Sequence, residues 1–325
     1  MKRPISILIA VALVAALAAC NGSSGSLGSI PSVAPTPSAD TGGPDLTPAP
    51  SPTPAPSVSP SAEPSGSASA APTPAGSPAE TMIVRTYFVL GGEPGSVGLV
   101  PVLRVVPKSV AVAAAAMNAL LAGPTAAEAA DRTITSAIPD GTRLLGVSIK
   151  NGVSIVDLST EFDSGGGTAS MEYRLAQVVY TLTQFTTVKS VVFQIEGQTV
   201  TVFGSEGIVL DGPVGRADYY DQLPSIFVDR PAYGAALNDP GRVTGNANVF
   251  EAQFRVAILD ASRKTLVDEQ VKATCGSGCR GTFAVTLNYT VGKAQWGTLR
   301  VYDPSEKDGT PQDIREYPVW LTPAS

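Results

Sequence analysis

Apolar residues follow three regimes along this chain. Behind Lys2 and Arg3, residues 5–19 are almost unbroken apolar. Residues 21–80 show no apolar period at all, and from residue 81 onward apolar positions recur at strand and helix spacing. Residues 83–90 (Ile-Val-Arg-Thr-Tyr-Phe-Val-Leu) are β-branched and aromatic with polar interruptions, which predicts a strand. A loop at 91–95 leads to a second apolar segment at 99–106, closed by Pro107. Ser109 is placed as N-cap of a helix through Val112, Met117, Leu120 and Leu121, and Gly123-Pro124 ends it. Thr125 with Glu128 reads as a capping box for a short alanine-rich helix, and Pro139-Asp140-Gly141 as a turn.

Leu145, Val147 and Ile149 alternate before Asn151-Gly152, with Val153 and Ile155 after it, a strong hairpin signal. Gly165-Gly166-Gly167 is a loop before a longer helix over about 169–185, with Leu175, Val178, Val179 and Leu182 on one face. Residues 188–195 and 199–203 predict another hairpin across Glu196-Gly197. This order makes a mixed α/β layer. Beyond Gly212-Pro213 the texture changes to short strands at 226–228, 249–259, 265–274, 281–289, 298–302 and 314–321, which predicts a β-sandwich. The expected fold class is α+β and multidomain.

The first regime has the layout of a secretory signal peptide, and the apolar run is shorter than the ~20 residues that span a bilayer. Leu17-Ala18-Ala19-Cys20 resembles the bacterial lipobox. That resemblance implies cleavage before Cys20, lipid on its thiol, and a location on the outer side of a cell membrane. An ordinary signal peptide cut nearby is the alternative. The second regime holds half of the 28 prolines, in steps such as Thr47-Pro48-Ala49-Pro50-Ser51-Pro52, and no Lys or Arg. It lacks the apolar surface to offset ordering entropy and is expected to be a disordered tether. As a flexible coil it would average roughly 40 Å end to end, and as full polyproline ~190 Å.

Charge and composition narrow the functions. Removing Lys2 and Arg3 leaves 20 basic against 28 acidic residues, a formal charge of −8. Such a chain has no electrostatic footprint for nucleic acid. Histidine is absent, which removes Ser-His-Asp triads, Cys-His pairs and imidazole metal sites. No cofactor and no metal site is expected. Carboxylate pairs and Ser-Lys dyads remain chemically open, and catalysis is disfavoured by this composition. Cys275 and Cys279 are the remaining cysteines; an exported protein usually joins such a pair. A redox-active pair and an incomplete zinc site are the alternatives.

Several segments together resemble a GerMN domain, named for sporulation and spore germination. They are Leu99-Val100-Pro101-Val102 with Arg104 and Pro107, Leu120-Leu121-Ala122-Gly123-Pro124-Thr125, Ile138-Pro139-Asp140-Gly141-Thr142 and Leu145-Gly146-Val147, then Val156-Asp157-Leu158-Ser159, the run from Arg174 to Leu182, and Val209-Leu210-Asp211-Gly212-Pro213. The tail resembles the immunoglobulin-like domain of bacterial spore germination through Val243-Thr244-Gly245-Asn246-Ala247, Val249-Phe250-Glu251-Ala252, Arg280-Gly281-Thr282-Phe283, and Ser305 with Asp308-Gly309. The expected layout is a signal peptide at 1–19, a linker at 20–81, a GerMN-like domain at 82–228 and an immunoglobulin-like sandwich at 229–325. The pairing implies a non-enzymatic, extracytoplasmic role linked to envelope or spore assembly. The expected partners are the membrane, through lipid, and envelope proteins or cell-wall polymer. A signalling accessory and a histidine-free wall hydrolase are the competing readings.

Candidate sites follow from chemistry. Arg216, Asp218, Tyr219 and Tyr220 concentrate charge and aromatic side chains at the expected domain junction and form a candidate binding surface, or else pack between the domains. Asp157, Glu161 and Asp163 could supply an acid and a base, although Asp157 lies in a segment the family resemblance treats as structural. Asp303, Glu306 and Asp308 offer oxygen ligands of the kind calcium takes, without a recognised calcium-loop spacing.

Overall fold

The structure is a computed structural model that describes residues 80–92, 95–130 and 133–324. The expected signal peptide, Cys20 and almost all of the tether lie outside the described residues. Within them the chain is mostly β with three α-helices.

Strands β1 (Thr81–Leu90) and β2 (Gly98–Pro107) form a hairpin in unbroken antiparallel register from Thr81 opposite Pro107 to Leu90 opposite Gly98. Helix α1 (Val112–Leu121) follows, buried through Ala113, Ala116, Met117 and Leu120. Its N-cap is Ala111, whose own N–H donates to the Ser109 hydroxyl. Ser109 therefore closes a turn ahead of the helix and does not cap its first turn. Gly123 ends this stretch at φ +76°, the conformation that favours glycine at a helix end. Thr125 and Glu128 do form the capping box of α2 (Ala126–Ala129), and β3 (Ile134–Thr135) pairs with the end of β1.

The Asn151-Gly152 hairpin is present: both residues have positive φ, as a type I′ turn requires. It joins β4 (Leu144–Lys150) to β5 (Val153–Leu158). Helix α3 (Thr168–Leu182) then crosses to β6 (Ser190–Ile195), which lies parallel to β5, and β7 (Gln198–Thr199) completes a sheet of order β4-β5-β6-β7. The strand expected over 199–203 is broken. Val202–Phe203 (β8) leaves β6 and pairs with Ile208–Val209 (β9) in a separate ribbon.

Helix α3 also completes the open side of β1. Gln184 accepts from the Arg85 N–H and donates to the Arg85 carbonyl, at 2.8 and 2.6 Å. Thr181 accepts from the Tyr87 N–H, and Gln177 donates to the Tyr87 carbonyl. Two polar side chains on the helix and one in the turn after it thus stand in for a missing neighbouring strand, satisfying backbone groups that burial would otherwise leave unpaired.

The second half begins at β10 (Ile226–Arg230), so the boundary expected between 228 and 229 falls inside a strand. Next come β11 (Ala236–Leu237), β12 (Gly241–Ala247), β13 (Gln253–Leu259), β14 (Thr265–Lys272), β15 (Gly281–Leu287), β16 (Gln295–Pro304) and β17 (Pro311–Leu321). They form two sheets, β10-β12-β15 and β11-β17-β16-β13-β14. The sheets meet through Phe254 and Phe283, edge to face at 4.8 Å. Strand β12 was not among the strands expected from patterning, yet it is central to its sheet. Its glycines weaken the strand signal, and Gly245 is there because a Cβ would sit 1.9 Å from the Phe227 carbonyl oxygen on β10. Residues 249–259 are not one strand: a 3-10 turn at Phe250–Ala252, with Glu251 and Ala252 at positive φ, precedes β13.

The described residues form one compact unit with a single core spanning both halves. Tyr180 of α3 meets Phe227 of β10 edge to face at 6.0 Å. Arg315 of β17, 3% exposed, donates to the carbonyls of Ser96, Gly98 and Leu99 at the start of β2. Burial lowers its pKa, partly opposed by Tyr317, and among the described residues no carboxylate pairs with it.

Candidate functional site

The segment between the two halves, Arg216–Gln222, is a 3-10 turn kinked at Tyr219 (φ −124°, ψ 31°). Its start is fixed by Asp218, whose carboxylate accepts from the Gly215 N–H at 2.6 Å. The kink sends successive side chains in different directions. Tyr219 is 5% exposed, whereas Tyr220 is 40% exposed and lies under the Arg280 guanidinium at 5.9 Å.

Arg216 turns inward to the seam. It lies over the rings of Tyr180 and Tyr87, at 4.6 and 5.4 Å, and donates to the Thr183 hydroxyl, the Tyr87 hydroxyl and the Tyr180 carbonyl. Asp229 on β10 gathers this cluster. It accepts from the Tyr87 hydroxyl at 2.7 Å and from Arg85 at 3.1 Å, and stands 3.6 Å from Arg216. Burial alone would lower the Arg216 pKa; Tyr87 and Asp229 outweigh it and hold it above the usual value. Burial pushes the Tyr87 phenol up to about 12, opposed by Arg216 and reinforced by Asp229. The cluster sets the Tyr87 phenol and the Asp229 side chain between the Arg85 and Arg216 guanidinium groups. That arrangement fastens β1, α3 and β10 together, so the Arg216 side chain is engaged within the protein.

Behind Tyr219 the chain encloses a cleft of about 510 Å³. Its lining includes the apolar residues Ile208, Leu210, Pro213 and Val214. The lining also carries Glu172, Asp211, Asp218 and Asp221, and no Lys or Arg. Glu172 accepts from the Gln222 amide at 2.9 Å. The Tyr219 hydroxyl makes no hydrogen bond among the described residues. Burial raises its pKa, and Asp218 and Glu172 raise it further. Of the four residues expected as a binding surface, Asp218 and Tyr219 line this cleft, Tyr220 faces outward, and Arg216 belongs to the seam.

The remaining candidates are placed separately. Cys275 and Cys279 stand at disulfide distance, with Cα atoms 5.8 Å apart. Asp157 accepts from the Gly197 N–H and Asp163 from the Gly204 N–H, each fastening a turn, while Glu161 lies 3.7 Å from Arg143. The three thus serve three different local structures. Asp308 accepts from the Thr310 N–H within its own turn. Burial raises the Asp303 pKa, with Asp313 and Glu306 adding to it. Among the described residues no group of three acidic or cysteine side chains is placed to hold a metal ion.

Sequence reading missed the buried arginines. Arg174, 2% exposed, donates to the carbonyls of Ala137, Phe162, Ser164 and Gly165 and so shapes the glycine loop. A basic residue inside an apolar helix face was the available signal.

Comparison with known proteins matches this division. A family model described as sporulation and spore germination covers residues 85–201. A second, described as an immunoglobulin-like domain of bacterial spore germination, covers residues 225–310. No curated protein matches the chain. Among solved structures, the tandem GerMN domains of the sporulation protein GerM from Bacillus subtilis align at 15% identity and TM-score 0.37, over 64% of this chain and 62% of that one. This chain therefore spans less than two thirds of that protein. The first GerMN domain of the same protein aligns at 22% identity and TM-score 0.35, over 42% of this chain and 99% of that one. A putative lipoprotein from Clostridium perfringens aligns at 20% identity and TM-score 0.31, over 42% and 89%.

Proposed function

We propose that this chain, which carries a sporulation and spore germination domain followed by an immunoglobulin-like domain of bacterial spore germination, is a lipid-anchored, non-catalytic binding module at the outer face of a cell membrane. The observation that carries the reading is this domain succession behind a leader ending in Leu17-Ala18-Ala19-Cys20. Acyl chains on Cys20 supply location, since an acidic chain has no polybasic attraction to anionic lipid. The proline-rich segment supplies reach. The two domains share one core and present their surface as one body, which suits assembly with envelope proteins or wall polymer. The non-catalytic part of the reading draws on the carboxylates at Asp157 and Asp163, which are occupied in fastening turns.

The test is crosslinking in intact cells followed by mass spectrometry, with Cys20→Ala as the mislocalised control. The expected result is a defined set of envelope proteins or wall fragments, lost in the control. Protein released into the medium with an unmodified N-terminus, or identical crosslinks from the control, would overturn the reading.

A further inference from the structure

We infer that the trough where β2 meets the segment after β10 is a binding site for an acidic glycan, a sugar chain that carries carboxylate groups. This deepens the binding-module reading by choosing wall polymer over envelope protein and naming its chemistry. It rests on that reading only for its biological setting.

Two independent observations carry it. The first is charge. A cleft of about 480 Å³ is lined by Arg85, Arg230 and Arg242, with Asp229 as the one carboxylate in the lining. Asp229 is already engaged by Arg85, Tyr87 and Arg216. Arg230 and Arg242 are exposed and make no ion pair and no side-chain hydrogen bond among the described residues. Arg230 stands opposite Thr244, two positions along β12 from Arg242. The two arginines therefore share one sheet face as diagonal neighbours, roughly 7–8 Å apart. Like charges so placed repel, and an anion between them turns the repulsion into attraction. The second observation is aromatic surface. A cleft of about 440 Å³ adjoins the first at Leu103 and Ala235, which line both. It is lined by Tyr233 and by Trp296, which is 53% exposed and meets Trp320 edge to face at 5.3 Å.

The two clefts together select the ligand. A carboxylate accepts the forked donors of a guanidinium in a charge-assisted pair. A sugar ring presents a face of C–H groups, whose partial positive charge suits the negative face of an aromatic ring. Arg230 and Tyr233 are three residues apart, at most ~11 Å of chain, so a ligand two sugar rings long reaches both ends. The walls are fastened in advance: Val102 on β2 and Tyr233 form a backbone bridge, with the Tyr233 N–H donating to the Pro101 carbonyl at 2.9 Å. Such preorganisation lowers the cost of binding. A bare anion uses the arginines and leaves the aromatic cleft empty, a neutral glycan does the reverse, and an acidic glycan uses both. An extended peptide is a poorer fit, because strand addition needs a free edge and Tyr233 already occupies the edge of β2 here.

The experiment is calorimetric titration of the purified full chain at low ionic strength. The probes are the disaccharide of N-acetylglucosamine and N-acetylmuramic acid, which carries one carboxylate, its neutral counterpart diacetylchitobiose, inorganic phosphate, and acetyl-glutamyl-tyrosine amide. The acidic disaccharide is expected to bind about tenfold more tightly than any of the others. Arg242→Gln removes an exposed cation without a partner, so it should leave Tm unchanged while weakening disaccharide binding by about tenfold, the loss of one charged hydrogen bond. Trp296→Ala removes the exposed ring and should weaken the same binding by about fivefold. Binding of chitobiose, phosphate or the acidic peptide as tight as that of the acidic disaccharide, or wild-type affinity in both folded variants, would overturn the inference. Cellular crosslinks that depend on Cys20, without disaccharide binding in solution, would sink the trough alone and leave the module reading standing.

Discussion

Replacing Arg315 tests whether the two halves are one body. Its guanidinium donates to three carbonyls at the start of β2, and Ser96, Gly98 and Leu99 are all buried. Arg315→Ala removes those donors. Leaving buried acceptors unpaired costs about 1–3 kcal/mol each. Against this, a guanidinium buried without a carboxylate carries a desolvation penalty of several kcal/mol, which the substitution relieves. A cavity adds to the loss. The net expectation is about 3–5 kcal/mol, the range seen on breaking buried charge networks. For a body of this size that lowers Tm by roughly 10 °C. Arg315→Met fills the space but leaves the carbonyls unpaired, so it should fall between the alanine variant and the wild type. Urea titration read two ways makes the assay decisive. Both tryptophans, Trp296 and Trp320, lie in the second half, while all three described α-helices lie in the first. Tryptophan fluorescence and the far-ultraviolet helix signal should therefore coincide in the wild type and part in Arg315→Ala. A variant within about 0.5 kcal/mol of wild type, with coincident transitions, would refute the latch.

Three further outcomes follow from named contacts. Thr181→Val keeps its shape but orphans the Tyr87 N–H, so urea denaturation should show a loss of about 1–3 kcal/mol. Glu128 is held below the usual glutamate pKa: burial alone would raise it, but hydrogen bonds from Arg104 and Thr125 and the Arg104 charge prevail. Its contribution is complete above the ordinary value of 4.5 and fades as pH falls through the lower folded value, so Glu128→Gln should flatten the acid limb of a Tm-against-pH curve. Reducing the Cys275–Cys279 pair opens a short loop, so calorimetry with and without reductant should show a loss of about 2 kcal/mol and no change in the helix signal.

Local chemistry in the sequence was enough to place many elements. Asn151-Gly152 could form only a tight hairpin, Thr125 with Glu128 fixed a helix start, and alternation marked most strands, because each depends on neighbours a few residues away. Cys275 and Cys279 were legible for the same reason. What patterning could not supply was anything that depends on distant chain. The glycine-bearing β12 is a strand because β10 and β15 flank it. Gln177, Thr181 and Gln184 are polar residues in and just after an amphipathic helix, and only the open side of β1 gives them work. The charged run at 216–220 read either as a binding surface or as packing between the domains, and the kink at Tyr219 divides it between a seam, a cleft and the solvent. Side-chain direction is set by packing against remote elements, and a linear sequence carries no distance between residues 142 positions apart such as Tyr87 and Asp229.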